Sequence, residues 1–120
     1  MKKAPSESQE QQRLVLKLRW FHPNLVLFSI PNGGKRNRGE ARKLVLEGVE
    51  PGIPDLFIAE PNDEYHGLFV EMKKVEKSKT NTSKEQLEKH KLLKSKGYCV
   101  AVCFGSEEAY DVILRYIGER

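Results

Sequence analysis

Glu71 and Lys73 close the apolar run "GLFVEMK", and Asp55 follows Pro54 at the head of "PDLFIAE". Side chains of a strand alternate between faces, so Glu71 and Lys73 point one way and Met72 the other. If residues 54–60 and 67–73 pair as an antiparallel hairpin, the start of the first lies opposite the end of the second, and Asp55 meets Glu71 and Lys73. Two carboxylates brought that close repel each other, which raises one pKa unless a cation lies between them. A hard divalent ion meets this need, with ligands from carboxylates, a backbone carbonyl and waters. It polarises a phosphoryl oxygen and makes hydroxide available near neutral pH. Lys73 is then placed to orient or deprotonate the water, or to offset charge on a phosphorane-like transition state. The plainer reading of an E-x-K triplet alone is a strand ending in a surface acid and lysine. Asp55 on the adjacent strand, with a "PG" just upstream of the "PD", takes the pattern beyond that.

Holding these groups together requires a sheet and the helices that cover it. Residues 6–21, "SESQEQQRLVLKLRWF", carry Leu14, Leu18 and Phe21 at helical spacing with Val15 beside them, and His22-Pro23-Asn24 stops the helix. "LVLFSI" (25–30) reads as a strand followed by the turn-prone "PNGG". A second helix fits 39–48, with Ala41, Leu44 and Val45 on one face and Gly48 ending it. After the hairpin, Ser83 is placed to cap a third helix running to about Lys96, and Gly97 to end it. "YCVAVCF" supplies a last strand, and Ser106 opens a helix with Ala109, Val112, Ile113, Tyr116 and Ile117 in one stripe. The order α-β-α-β-β-α-β-α is an α/β unit, a mixed sheet flanked by helices.

At 120 residues the chain is expected to form one domain, residues 1–120. Basic residues number 21 against 17 acidic, so the distribution of charge matters more than its sum. "KRNRGEARK" (35–43) and "KKVEKSK" (73–79) are two local basic patches, which suit a polyanion such as nucleic acid or are simply solvated loops. The first dozen residues are polar and no apolar run approaches the roughly 20 residues of a spanning helix, so a cytoplasmic protein without membrane attachment is expected. Cys99 and Cys103 lie about 13 Å apart along one strand, too far to bridge; buried thiols on one face are expected. His22, His66 and His90 show no metal-ligand spacing and are assigned no metal. Trp20, with Phe21, is expected in the core or at a subunit contact.

"GVEPGIPDLFI", a spacer, "GLFVEMKK" and then "TSKEQ" together resemble the PD-(D/E)XK nucleases, specifically the virus-type replication and repair nuclease (VRR-NUC) domain. "ESQEQQRLVLKL" and "IPNGGKR" are similar to that family's first helix and the glycine-rich turn after its first strand. The resemblance spans about residues 7–105 and implies a restriction-endonuclease-like core with a four-stranded mixed sheet. It further implies Asp55 and Glu71 as ligands of Mg²⁺ or Mn²⁺, the Met72 carbonyl as another ligand, and Lys73 as the catalytic lysine. Gln86 corresponds to the family's glutamine on the helix after the catalytic strand. That residue is equally suited to an S-x-x-Q capping box with Ser83.

The first helix offers two acids. Glu7, Gln11, Leu14 and Leu18 share a stripe, whereas Glu10 lies about 60° to one side at roughly 100° per residue. The family pattern, an acid followed four residues later by glutamine, also selects Glu7 as a metal ligand. Glu10 is the alternative, because the family usually has an apolar residue at that position and this chain departs from it. For DNA contact, Gly33 and Gly34 permit close approach of backbone to phosphate, and Lys35, Arg36 and Arg38 supply charge. Lys74 and Lys77 in the second patch are assigned the same role.

The resemblance implies a divalent-metal-dependent endonuclease acting on DNA. With no recognition helix identifiable, selection by DNA shape is expected over selection by sequence. Stand-alone members resemble Holliday-junction resolvases, so four-way junctions cut by a homodimer are the expected substrate and assembly. Two rivals stand beside this: a flap or linear-duplex nuclease of the same fold, and a non-catalytic DNA-binding module.

Overall fold

In the computed structural model, which describes residues 4–31, 37–75 and 82–118, eight elements follow one another. They are α1 (Glu7–Phe21), β1 (Leu27–Ser29), α2 (Arg38–Leu46), β2 (Leu56–Ile58), β3 (Leu68–Lys73), α3 (Lys84–Ser95), β4 (Cys99–Phe104) and α4 (Ser106–Tyr116). This is the order read from the sequence, and the local reasons are visible at the helix starts. Ser6 and Ser83 each open a capping box, with Gln9 and Gln86 as the reciprocal partners. Asn37 caps α2 by accepting the Glu40 N–H at 2.8 Å. Gly97 ends α3 with φ +94°, and a Cβ there would lie 2.5 Å from the His66 ring, so a side chain is excluded on both counts.

The sheet has the order β1-β2-β3-β4. β1 and β2 are antiparallel, β2 and β3 form the expected antiparallel hairpin, and β4 lies parallel to β3 after the α3 crossover. Leu56 pairs with Val70 and Ile58 with Leu68. One face of β3 therefore presents Leu68, Val70 and Met72, all fully buried with Leu14 and Leu18 of α1, Ala109 and Ile113 of α4, and Cys103 of β4. Each such leucine contributes about 1.5–3 kcal/mol by leaving water. The opposite face presents Phe69, Glu71 and Lys73. At its apolar end Phe57 and Phe69 pack tilted with ring centroids 4.6 Å apart and Tyr98 meets both edge-on; its charged end lies beneath α3.

Several details differ from the sequence reading. β1 and β2 are three residues each, shorter than 25–30 and 54–60. Pro54 has no N–H to give a ladder, and the Asp55 carboxylate, in place of a backbone acceptor, takes the Met72 N–H at 2.7 Å. Trp20 and Phe21 are 77% and 62% exposed, so neither belongs to the core. The inward stripe of α1 is Glu10, Leu14 and Leu18, at i, i+4 and i+8; Glu7 is exposed. Cys99 and Cys103 are free thiols, and Cys103 is fully buried.

Candidate active site

The register of the hairpin, extended one residue past Leu56 and Val70, sets Asp55 opposite Glu71. The "PG" turn upstream is pinned against α3: at Gly52 a Cβ would meet the Glu85 carbonyl oxygen and Lys89 Cγ, each at 2.9 Å, so the chain entering Asp55 has little freedom. On the other side the Asp55 carbonyl accepts the Ile30 N–H at 2.8 Å. Its side chain bonds the backbone of the very strand that carries Glu71 and Lys73.

Glu71 is 4% exposed and Lys73 7%. Burial, then the adjacent Asp55 carboxyl, push Glu71 from an ordinary 4.5 up to about 8, with a hydrogen bond between the two carboxyls adding to the rise. Lys73 pulls the other way, and Glu7 adds a further push from α1. Two carboxyls this close repel when both are ionised, so the pair favours a proton or a cation between them.

Gln86 and His90, one turn apart on α3, face Lys73 and Glu71, two apart on β3. A rise of about 1.5 Å per helical residue over four residues nearly equals about 3.3 Å per strand residue over two, so the two rows stay in step. Gln86 Oε1 accepts from Lys73 Nζ at 3.3 Å and from the Ser83 N–H at 3.0 Å. The two roles weighed for Gln86 are therefore carried by one oxygen with two lone pairs. His90 Nε2 lies 3.9 Å from Glu71 Oε1. Burial first, and then Lys94 and Lys73, lower the imidazole pKa, so this approach joins a neutral ring to the acid and is not an ion pair. His90 was assigned no role from the sequence; its signal was the i+4 offset from Gln86.

The two acids of α1 have separate positions. Glu10, 5% exposed, accepts the Ser106 N–H with Oε1 at 3.2 Å and so caps α4, whose own cap position, Gly105, has no side chain to do it. Glu7 lines an open cleft with Ser8, Gln11 and Asp55. It acts on Glu71 through charge alone. Among the described residues no three His, Cys, Asp or Glu side chains converge tightly enough to hold an ion by themselves. The donor set is instead a carboxyl pair and a backbone oxygen. The Met72 N–H points to Asp55 and the Lys73 carbonyl accepts from the Gly105 N–H at 3.0 Å on the β4 side; alternation of peptide groups then puts the Met72 carbonyl on the Asp55 side.

Of the residues assigned to DNA, Arg38 is exposed at the first position of α2, and Lys74 is half-buried just beyond β3. Gly33, Gly34, Lys35, Arg36 and Lys77 lie outside the described residues.

The family model described as the VRR-NUC domain matches residues 6–107. A solved structure of a VRR_NUC domain protein aligns with a TM-score of 0.77 at 27% sequence identity, covering 97% of this chain and 91% of that one. Among curated proteins, none matches the sequence.

Proposed function

Given that the chain belongs to the VRR-NUC domain family, and so to nucleases of the PD-(D/E)XK type acting on DNA, we propose that residues 1–120 form a divalent-metal-dependent endodeoxyribonuclease. The observation that carries the reading is the Asp55 carboxyl crowding the buried Glu71, with the buried Lys73 next on the same strand face. Two carboxyls crowded in this way favour a cation between them, and one Glu71 oxygen, Oε1, is buried with no hydrogen-bond partner. The residues present therefore fit a hard divalent ion, Mg²⁺ or Mn²⁺, held by Asp55, Glu71 and the Met72 carbonyl, with Glu7 contributing charge from across the cleft. So few protein ligands suit an ion that retains waters. When bound, the ion supplies Lewis acidity at the scissile phosphate.

The chain's own residues divide the remaining work. Asp55, through its bond to the Met72 N–H, fixes the geometry of the strand that bears Glu71. Gln86 holds the Lys73 ammonium beside the carboxyl pair, where it serves to orient the attacking water and to offset charge building on the phosphate oxygens; only its neutral amine form could take the water's proton. Arg38 and Lys74, with Gly33, Gly34, Lys35, Arg36 and Lys77, bind the phosphate backbone.

The proposed substrate is a four-way junction, cut by a homodimer. The groove of Val15, Leu16, Leu27 and Phe28, bordered by Ser8, Gln11, Gln12, Arg19 and Ser29, supports a second copy, with Leu16 and Trp20 exposed one turn apart on α1. The test is cleavage of four-way junctions, flaps and linear duplex in Mg²⁺ or Mn²⁺ by wild type and Glu71→Ala, with oligomeric state measured alongside. Symmetric paired nicks on junctions are expected from wild type and none from the variant. Preference for flaps or duplex would replace the substrate assignment, and salt-sensitive binding without cutting, indifferent to Lys73→Ala, would leave only a DNA-binding module. Among the described residues no helix is long and apolar enough to cross a membrane.

A further inference from the structure

Two buried side-chain atoms among the described residues lack a hydrogen-bond partner, Glu71 Oε1 and His90 Nε2, and they face each other at 3.9 Å. The residues are 4% and 5% exposed, so bulk water does not serve either atom. An unpaired buried polar atom is costly. A leucine at position 90 would cover the same strand face without that cost, so the imidazole makes sense only in a state where Nε2 is used.

The placement of His90 is not an accident of packing along α3. Gln86 and His90 are in step with Lys73 and Glu71, and Gln86 already bonds its partner. His90 stands to Glu71 as Gln86 stands to Lys73. Resting on the metal-centre reading above, we infer that His90 is a positioning residue: around a divalent cation its Nε2–H donates to Glu71 Oε1 and fixes which carboxylate oxygen faces the ion. A closing movement of about 1 Å brings the pair to hydrogen-bond distance. The hydrogen bond leaves the other carboxylate oxygen to the cation, and it commits the neutral ring to the Nε2–H tautomer.

The test compares wild type with His90→Leu, which fills the space without a donor, and His90→Gln, whose amide nitrogen can donate from near the Nε2 position. Calorimetric titration with Mn²⁺ alone, without DNA, is the primary readout. His90→Leu is expected to bind about 10–100-fold more weakly and His90→Gln to recover to within about threefold of wild type, matching the usual effect of a ligand's supporting partner. On DNA, kcat is expected to fall in His90→Leu with KM unchanged. A merely structural role would lower both variants alike. Wild-type Mn²⁺ affinity in His90→Leu overturns the inference while leaving the nuclease reading intact; a wild type that neither binds Mn²⁺ nor cuts DNA overturns both. Should His90→Leu fail to fold, ¹⁵N spectra of the imidazole in Mg²⁺-loaded wild type decide: a protonated Nε2 supports the assignment, a bare one overturns it.

Discussion

Replacing Glu71 by glutamine is expected to abolish cleavage and, in the metal-free protein, to stabilise the fold. A group whose folded pKa is raised contributes stability below its unfolded value and loses it as pH rises through the folded one. For Glu71 that window runs from 4.5 to about 8: the unfolded chain ionises freely across it while the folded chain retains the proton. Each pH unit corresponds to about 1.4 kcal/mol, so the full displacement is about 5 kcal/mol. Relaxation of the site as the carboxylate ionises recovers part of this, leaving on the order of 2 kcal/mol. Glutamine stands in for the neutral acid and has no such window. Chelator-treated wild type and Glu71→Gln are therefore expected to melt together at pH 5 and to separate by roughly 6–10 °C at pH 8 for a domain of this size. Addition of Mg²⁺ at pH 8 should raise the wild-type midpoint and leave the variant's unchanged. Parallel melting curves across the whole range would refute the crowded-carboxyl account of the site.

Three further comparisons separate roles that lie close together. Ser83→Ala removes one cap bond and is expected to cost about 1 kcal/mol in urea unfolding with cutting largely kept; Gln86→Ala should lose similar stability and, in addition, about tenfold or more in kcat, since it also releases Lys73. Equal kcat in the two variants would remove Gln86 from the site. Glu10→Ala uncaps α4 and is expected to lower stability by about 1–2 kcal/mol, whereas Glu7→Ala should leave stability alone and weaken Mn²⁺ binding in calorimetry; the reverse pattern would exchange the two assignments. Gly97→Ala should destabilise by about 1–3 kcal/mol in thermal melts, from positive φ and the collision with His66, and a neutral result would contradict the turn geometry.

The element order, the hairpin and the three charged groups at its end were legible because their signals are local. Period-two alternation assigns Glu71 and Lys73 to one face, capping boxes announce themselves within four residues, and antiparallel pairing carries Asp55 to Glu71 by counting. The helical wheel of α1 was legible only in part. It selected Leu14 and Leu18 correctly but placed Glu7 inward and Glu10 aside, because a wheel gives relative angles and says nothing of which neighbour a helix will meet. Packing of α1 against α4 rotates Glu10 to the uncapped start of α4, and an acid is favourable there because the first N–H groups of a helix need an acceptor.

The same limit hid His90, whose meaning depends on how α3 lies across β3, and it left Trp20 undecided between the core and a subunit contact, since a large apolar side chain is buried only where another element covers it. What the sequence by itself determined, then, is which residues can be neighbours along an element and across a hairpin. Which helix face meets which strand, and so whether a buried carboxylate caps a helix or crowds another acid, is decided when the layers dock, because that angle follows from the summed packing of the whole core and from no single stretch of chain.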